Sequence, residues 1–529
     1  MWTSTSTTFL LLLGIFGLLA ASQSLKPLTL DEVKLRIDEF VVQQNGSQSA
    51  RADSCEGCSL ACSFLASTLP GQIAYPGSTV YNFQESTYWS TFQASNSPTC
   101  RFSPTKAVGV SLAVLTFQVT QCKFAVKSGG HAAFAGASNT DDGVTIDMVN
   151  LNQLAISSDG TETAVGAGNL WHDVYSYLEV KNRTVVGGRV SAIGVGGLTT
   201  GGGIAFVSGR YGWACDNVNK YEVVFADGTI HNVTYSSHPD LYFALRGGGN
   251  NFGIVTTFHY ATYPQADFWG GSRTYLYSPE TAAKMNNAFY WLNVNAPEDP
   301  YAQVILAYAY TASAGQYIIV PIMQHGKPVA NPPSLKNFTE VPGAVADTLR
   351  IGNLTSMTLE LNVSNPGGFR QTFWAVAVKN SPTLLTEIVA IFKEESDKVN
   401  DAAGIVSSVA IQGLPLNVIE KFSKNGGNAL GITPADGPLA VLDITYSWSN
   451  AADDERILAA ARAVTKRIND TANAQGLGHP FVYMNYAAKE QSVIPSYGDE
   501  NVAKLKATSK KYDPLGVWQV LTPGYHKLF

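Results

Sequence analysis

Three dense glycine clusters constrain this chain more than any other feature. They are Ser128-Gly129-Gly130-His131; Gly187-Gly188 followed by Gly194-Val195-Gly196-Gly197-Leu198-Thr199-Thr200-Gly201-Gly202-Gly203; and Gly247-Gly248-Gly249. Glycine-rich loops let backbone N–H groups approach a ligand closely and hold an anion without lysine or arginine. The plain alternative is that the glycines only turn the chain, and composition leaves both readings open. Charge speaks to the choice. The 529 residues carry 35 Lys+Arg against 41 Asp+Glu, and charged residues make up 14%, below the roughly 25% of ordinary soluble chains. With no basic excess to displace counterions, a general polyanion binder is excluded. A hydrophobic share of 45% with 11% aromatics excludes a disordered chain, because that much apolar surface offsets ordering entropy. A buried pyrophosphate held by backbone donors fits both facts.

The N-terminus reads as a secretory signal over residues 1–22. Its apolar run Phe9 to Ala21 is short for a bilayer, and Ala20, Ala21 and Ser22 suit a peptidase. A membrane anchor is the alternative. Seven Asn-x-Ser/Thr sequons, at Asn45, Asn182, Asn232, Asn337, Asn353, Asn362 and Asn469, agree with a secreted or secretory-pathway glycoprotein. The six cysteines are Cys55, Cys58, Cys62, Cys100, Cys122 and Cys215. No second cluster completes a metal site, and a redox C-x-x-C would call for a βαβ setting that the sequence does not offer. Structural disulfides are expected instead. Spacing does not fix their pairing; Cys62 with Cys122 is the expected pair, and Cys215 a buried free thiol.

Along the chain, a helix is expected over Thr29 to Gln43 and another from Pro104, where Val108, Leu112, Leu115 and Val119 recur at helical spacing. Strands are expected at Lys123 to Val126 and at Val144 to Met148. Hairpins turn at Asp159-Gly160 and Asp227-Gly228. Asn169 is placed to cap a helix running to Lys181. Near residue 268 the character changes to long apolar strands, Gln303 to Tyr310 and Tyr317 to Met323. Helices Pro382 to Asn400, Asp453 to Ala474 and Glu500 to Lys511 follow. Several signatures are missing: G-x-G-x-x-G, G-x-x-x-x-G-K-[ST], H-E-x-x-H and G-x-S-x-G. His131 ends a strand directly after two glycines, so its ring can reach whatever the loop holds. A lone histidine is otherwise more often a satisfied structural residue.

Lys127-Ser-Gly-Gly-His131 with Gly136-Ala-Ser138 resembles the strand-to-loop motif of berberine bridge enzyme-like flavoproteins, of the vanillyl-alcohol oxidase superfamily. The resemblance continues through Gly194-Val-Gly-Gly197, Gly201-Gly-Gly203, Arg210-Tyr-Gly212, Asp216-Asn217, Asp240 to Gly249 and Asn251-Phe-Gly-Ile-Val255. It closes with Tyr483-Met-Asn485-Tyr486 and Tyr512-Asp513-Pro514-Leu-Gly516. It spans nearly the whole mature chain and is similar in style to fungal members. It implies an α+β fold with a two-part FAD-binding domain of the PCMH type and a substrate domain whose antiparallel sheet is backed by helices. The expected division is 23–267 for the N-terminal part of the FAD domain, 268–480 for the substrate domain and 481–529 for the returning segment.

The resemblance implies FAD as cofactor, joined covalently through His131. Cofactor contacts are expected from Ser128, Gly129, Gly130, Gly136, Ser138, Gly188, Gly194, Gly197, Gly201, Gly202, Asn217, Ile254 and Asn485. Relatives that make a second flavin bond use a cysteine that aligns here with Val190, so attachment through His131 only is expected. Ile193 stands where relatives vary a residue governing oxygen access, and slow oxygen attack is expected. Tyr486 is the candidate base and Tyr483 a second candidate, pointing the other way if the segment is a strand. No metal is expected. Partners are a small-molecule substrate and oxygen or another electron acceptor, with no nucleic acid, and no membrane after signal cleavage. The leading reading is hydride removal from an alcohol or other C–H bond of a secondary metabolite. A carbohydrate oxidase and a non-catalytic flavin-binding protein are the alternatives.

Overall fold

The structure, a computed structural model, describes residues 27–45 and 54–529. The signal-like segment lies outside them, as does the side chain of Cys55. Helix Leu30–Asn45 opens the described chain. The helix expected from Pro104 begins at Ala107 and ends at Thr120, and it is buried along most of its length. It connects strand Cys100–Phe102 to strand Phe124–Lys127, and both pair in parallel with Val144–Asp147. A strand–helix–strand unit is therefore present, contrary to the sequence reading. Met148 has left the strand for a short 3-10 turn.

The expected Cys62–Cys122 pair is not formed. Cys58 bonds to Cys122 and Cys62 to Cys100. Both come from helix Ser54–Thr68, where residues four apart share a face. A side chain at Gly57 would collide with the Thr120 carbonyl, so the helix closes in there. That approach sets Cys58 beside Cys122, leaving Cys62 one turn further at Cys100. Cys215 is free and buried.

A five-stranded antiparallel sheet follows, ordered Leu154–Ile156, Glu162–Gly166, Ile254–Ala261, Val218–Val224, Ile230–Val233. Both expected hairpins are in it. Asn169 does not cap the next helix, which spans Trp171–Glu179 after Leu170. Its amide donates instead to the Gly166 carbonyl at 2.9 Å, closing the preceding turn. The larger sheet begins at Phe268–Leu276 and is antiparallel throughout. Its central strands are Gln316–His325, Ala302–Thr311, Val406–Leu414, Leu439–Trp448 and Arg370–Lys379, in that order. Alternation gives this sheet two faces. Leu306, Ile411, Leu442 and Ile444 pack with Leu385, Phe392, Ile457 and Val464 of the long helices. The other face turns toward the glycine loops.

The first core draws on both ends of the chain, from Val33 and Cys58 to Tyr483, Trp518 and Leu528. Residues Val418, Phe422 and Leu430 leave the large sheet and join it too. Arg246 anchors that excursion, donating to the carbonyls of Lys424 and Gly427 at 2.7 and 2.6 Å and pairing with Asp216 at 3.1 Å.

Candidate active site between the glycine loops and the large sheet

Between the glycine loops and the free face of the large sheet lies a cavity of about 630 Å³. Its floor follows from strand Phe124–Lys127. The strand runs into Ser128, whose hydroxyl donates to the Ala167 carbonyl at 2.6 Å and accepts from Gly196 N–H at 3.0 Å. That hydroxyl ties two loops together, and Ser128 lines the cavity. Gly129 and Gly194 pack backbone to backbone, so a side chain on either would collide with the other. Gly130 has φ +72, and a Cβ there would lie 2.8 Å from the Tyr88 ring. Beneath the loop a buried charge cluster fixes its root. Lys127 pairs with Asp147 at 3.3 Å, Arg101 with Asp147 at 2.8 Å and with Glu85 at 2.5 Å.

His131 follows. Its ring stacks on Trp89, centroids 4.3 Å apart and 10° from parallel, and Trp89 meets Phe373 of the large sheet at 4.9 Å. The ring borders the cavity, and its Nε2 is buried without a hydrogen-bond partner. Burial lowers the His131 pKa to about 4, so the imidazole is neutral at neutral pH and keeps a free lone pair. Among the described residues, the N–H groups from Gly129 to Ala132 donate to no protein group. A Cβ at Gly197 would project into open cavity. A run of unspent backbone donors, an unpartnered imidazole and a glycine-lined hollow fit FAD, with the donors suited to its pyrophosphate.

Gly136, Ser138, Val190, Ile193, Gly194, Gly197, Ile254 and Asn485 also line the cavity. Ser138 is held by Gln93, to which its N–H donates at 2.7 Å. Four expected contacts stand behind the wall instead. A side chain at Gly188 would strike Trp171, one at Gly201 would strike Asn485, and one at Gly202 would meet Trp213 at 2.8 Å. These are packing glycines. Asn217 donates to the carbonyls of Tyr211 and Trp213 at 3.0 and 2.7 Å and accepts from Tyr263 and Lys424 at 2.8 and 3.0 Å, which commits it to structure.

The two tyrosines do not diverge. Met484–Tyr486 is a 3-10 turn, and three residues per turn bring positions three apart to one side. Their rings meet edge to face at 4.8 Å. Tyr483 Oη accepts from Gly203 N–H at 3.1 Å, Ile204 N–H at 3.2 Å and Asn485 Nδ2 at 2.9 Å. Burial pushes its pKa up. With three donors aimed at its oxygen, Tyr483 positions Asn485 and the neighbouring turn. Tyr486 Oη accepts from Arg189 Nη2 at 2.6 Å and donates to Gln412 Oε1 at 3.1 Å. Arg189 also bonds Gln412. Burial raises the Tyr486 pKa, and the Arg189 guanidinium opposes the rise. Of the pair, Tyr486 is the phenol with a cation on its oxygen.

The comparisons with known proteins agree with this geometry. Residues 98–234 match the family model described as FAD binding domain. The chain is 36% identical over 504 residues to FAD-dependent monooxygenase tpcD of Cochliobolus heterostrophus, covering 91% of this chain and 96% of that protein. It is 30% identical over 475 residues to the bifunctional solanapyrone synthase of Alternaria solani, covering 89% and 90%. Its fold resembles berberine bridge enzyme from Eschscholzia californica, with TM-score 0.70, 15% identity and coverage of 87% and 97%. The chain belongs to the family of these fungal FAD-dependent monooxygenases, FAD-linked oxidoreductases, and has the fold of berberine bridge enzyme.

Within this flavoprotein, sequence reasoning missed Trp89, Arg189, Gln412 and Asp443. Arg189 stood one residue before Val190 and passed unread. Asp443 carried a signal: a single carboxylate inside the apolar strand Leu439–Trp448. No helix of the described residues is long and apolar enough to cross a membrane, and they hold no cluster of three metal-ligating side chains. Of the sequons, Asn182, Asn232, Asn337 and Asn353 are exposed.

Proposed function

We propose that this flavoprotein oxidises an apolar secondary metabolite at an alcohol or other activated C–H bond, with Tyr486 taking the proton. The observation that carries the reading is the Arg189 Nη2 to Tyr486 Oη contact of 2.6 Å on the cavity wall. A phenol titrates near 10 and burial makes it a weaker acid. A guanidinium on its oxygen favours the phenolate and so makes it serviceable as a base. When bound, FAD supplies the hydride acceptor. His131 is proposed as its single point of covalent attachment, since Val190 has no nucleophile. The division into an FAD domain from residues 23–267 and 481–529 and a substrate domain from 268–480 is part of the same reading, with Val418 to Leu430 joining the FAD side.

The facing wall supports an apolar substrate. Ile305, Ala307, Ala309, Val320 and Ala410 make most of it apolar, with Thr311, Ser408, Gln412 and Asp443 as its few polar positions, and so few hydrogen-bond partners weigh against a carbohydrate oxidase. The relatives named as monooxygenases and as solanapyrone synthase support a place in fungal secondary metabolism. Oxygen or another acceptor completes the cycle, and a secreted or secretory-pathway location is proposed from the two disulfides. Anaerobic mixing of the holoenzyme with apolar alcohols, phenols and sugars tests the reading. Bleaching of the flavin band by an apolar alcohol or phenol is expected, and bleaching by sugars alone would refute it.

A further inference from the structure

Strand register turns the cavity face of the large sheet into a lattice with a direction. Val320 pairs with Ala307, Ala307 with Ala410, and Ala410 with Asp443. All four line the cavity. The row passes from a branched apolar side chain, across two methyl groups, to a carboxyl. One row along, Ile322 pairs with Ile305 and Ile305 with Gln412. That row ends at the Arg189–Gln412–Tyr486 network, a diagonal cross-strand neighbour of Asp443 at about 7–8 Å. The two alanines keep side-chain bulk low in the middle of the row, which is apolar at one end and polar at the other.

Asp443 is an unspent group in this lattice, as is the Nη1 of Arg189, which is likewise buried without a hydrogen-bond partner. Asp443 is 8% exposed, its Oδ1 is buried without a partner, and among the described residues no ion pair reaches it. Arg189 spends its Nη2 on Gln412 and Tyr486. Burial raises the Asp443 pKa well above the usual carboxylate range, against the weaker pull of Arg189. A neutral carboxyl is a donor as well as an acceptor, and leaving it unmatched in an apolar wall is costly. We propose that Asp443 is the hydrogen-bonding end of a substrate-facing row and selects apolar ring compounds bearing a carbonyl oxygen on one edge. This rests on reading the cavity as the substrate site. It makes Asp443 a specificity residue, leaving the proton transfer to Tyr486.

Two probes of matched shape test it: 1-acetonaphthone and 1-ethylnaphthalene, titrated into holoenzyme and read by perturbation of the flavin absorption band. The ketone is expected to bind about five- to tenfold more tightly, the worth of one neutral hydrogen bond. Asp443→Leu should abolish that preference while keeping its flavin, and Asp443→Asn, whose amide still donates, should retain most of it. An undiminished preference in the Leu variant overturns the proposal. So does a hundredfold fall in kcat at unchanged KM in Asp443→Asn with any alcohol that bleaches the flavin, because Asp443 is then the base. If neither probe perturbs the band and no alcohol or phenol bleaches it, the functional reading itself fails, and Asp443 falls with it. If alcohols bleach it but the two probes bind alike in the wild type, only the role of Asp443 falls.

Discussion

Replacing Arg189 by methionine isolates the feature on which the proposed chemistry depends. Methionine keeps much of the apolar stem and removes the charge. In the wild type the guanidinium donates to Tyr486 Oη at 2.6 Å. A hydrogen bond to a charged group is worth about 1.5–3 kcal/mol, and unit charges about 4 Å apart near a protein surface interact by about 4 kcal/mol. Taking about 3 kcal/mol as the preference of Arg189 for phenolate over phenol, its loss raises the Tyr486 pKa by about two units. The sign is fixed: the cation lowers the pKa, so removing it raises the pKa and shrinks the phenolate fraction. Anaerobic stopped-flow measurement of flavin reduction against pH is the assay, at saturating substrate. The rising limb of the profile should move up by about two units, and the rate at pH 7 should fall about a hundredfold. KM should change far less. Arg189→Lys should return part of the shift, since it restores charge without the planar fork. An unmoved limb, or a loss equal at every pH, would refute the activating role.

Four further outcomes are expected. Acid-precipitated wild type should stay yellow and His131→Ala should release all its flavin, because Val190 offers no second bond; retained colour in the variant counts against single attachment. Burial lowers the pKa of both His131 and His526 to about 4, below the unfolded value, so the unfolded chain binds more protons between about pH 6.5 and 4. Flavin-free protein should therefore lose up to about 3 kcal/mol per histidine as pH falls through that window, and denaturant titrations showing a flat profile would contradict it. Removing the Cys58–Cys122 bridge by C58S/C122S should cost about 4 kcal/mol for a closed loop of this length, with a sequence separation of 64; an unchanged midpoint in urea would show that packing alone holds helix Ser54–Thr68. Ile193 lines the cavity, and Ile193→Gly should quicken reoxidation of reduced enzyme by oxygen, with equal rates dismissing it as the gate.

The elements that sequence made legible are those whose signals are local. Hairpins at Asp159-Gly160 and Asp227-Gly228 follow from turn chemistry, and the onset of long strands near 268 follows from a change in apolar run length. What failed was set by partners distant in sequence. Asn169 had the composition of a cap, yet the Gly166 carbonyl three residues back claimed its amide. Cys62 is spaced no worse than Cys58 for bonding Cys122, and only the approach of Gly57 to Thr120 decides between them. Tyr483 and Tyr486 looked divergent because strand periodicity was assumed. A single 3-10 turn reverses that conclusion, and no local residue pattern announces it.

The glycine loops and the large sheet also differ in how function is written into them. On the loop side the residue type is itself the message: Gly130 at φ +72 admits no side chain without cost, and one at Gly197 would take up open cavity, so the motif is visible in one dimension. On the sheet side the message is register. Asp443 matters because it ends the cavity-lining part of the row that starts at Val320, and that row joins strands separated by more than a hundred residues. Arg189 belongs to the loop side in sequence but reaches across to Gln412 of the sheet. That contact couples the two halves: the cation proposed to make Tyr486 a usable base is itself held by the wall proposed to select the substrate. A change of substrate through position 412 should therefore also shift the pH at which flavin reduction begins. Gln412→Leu serves as the measurement, and a specificity change with an unmoved pH limb would show that the halves act independently.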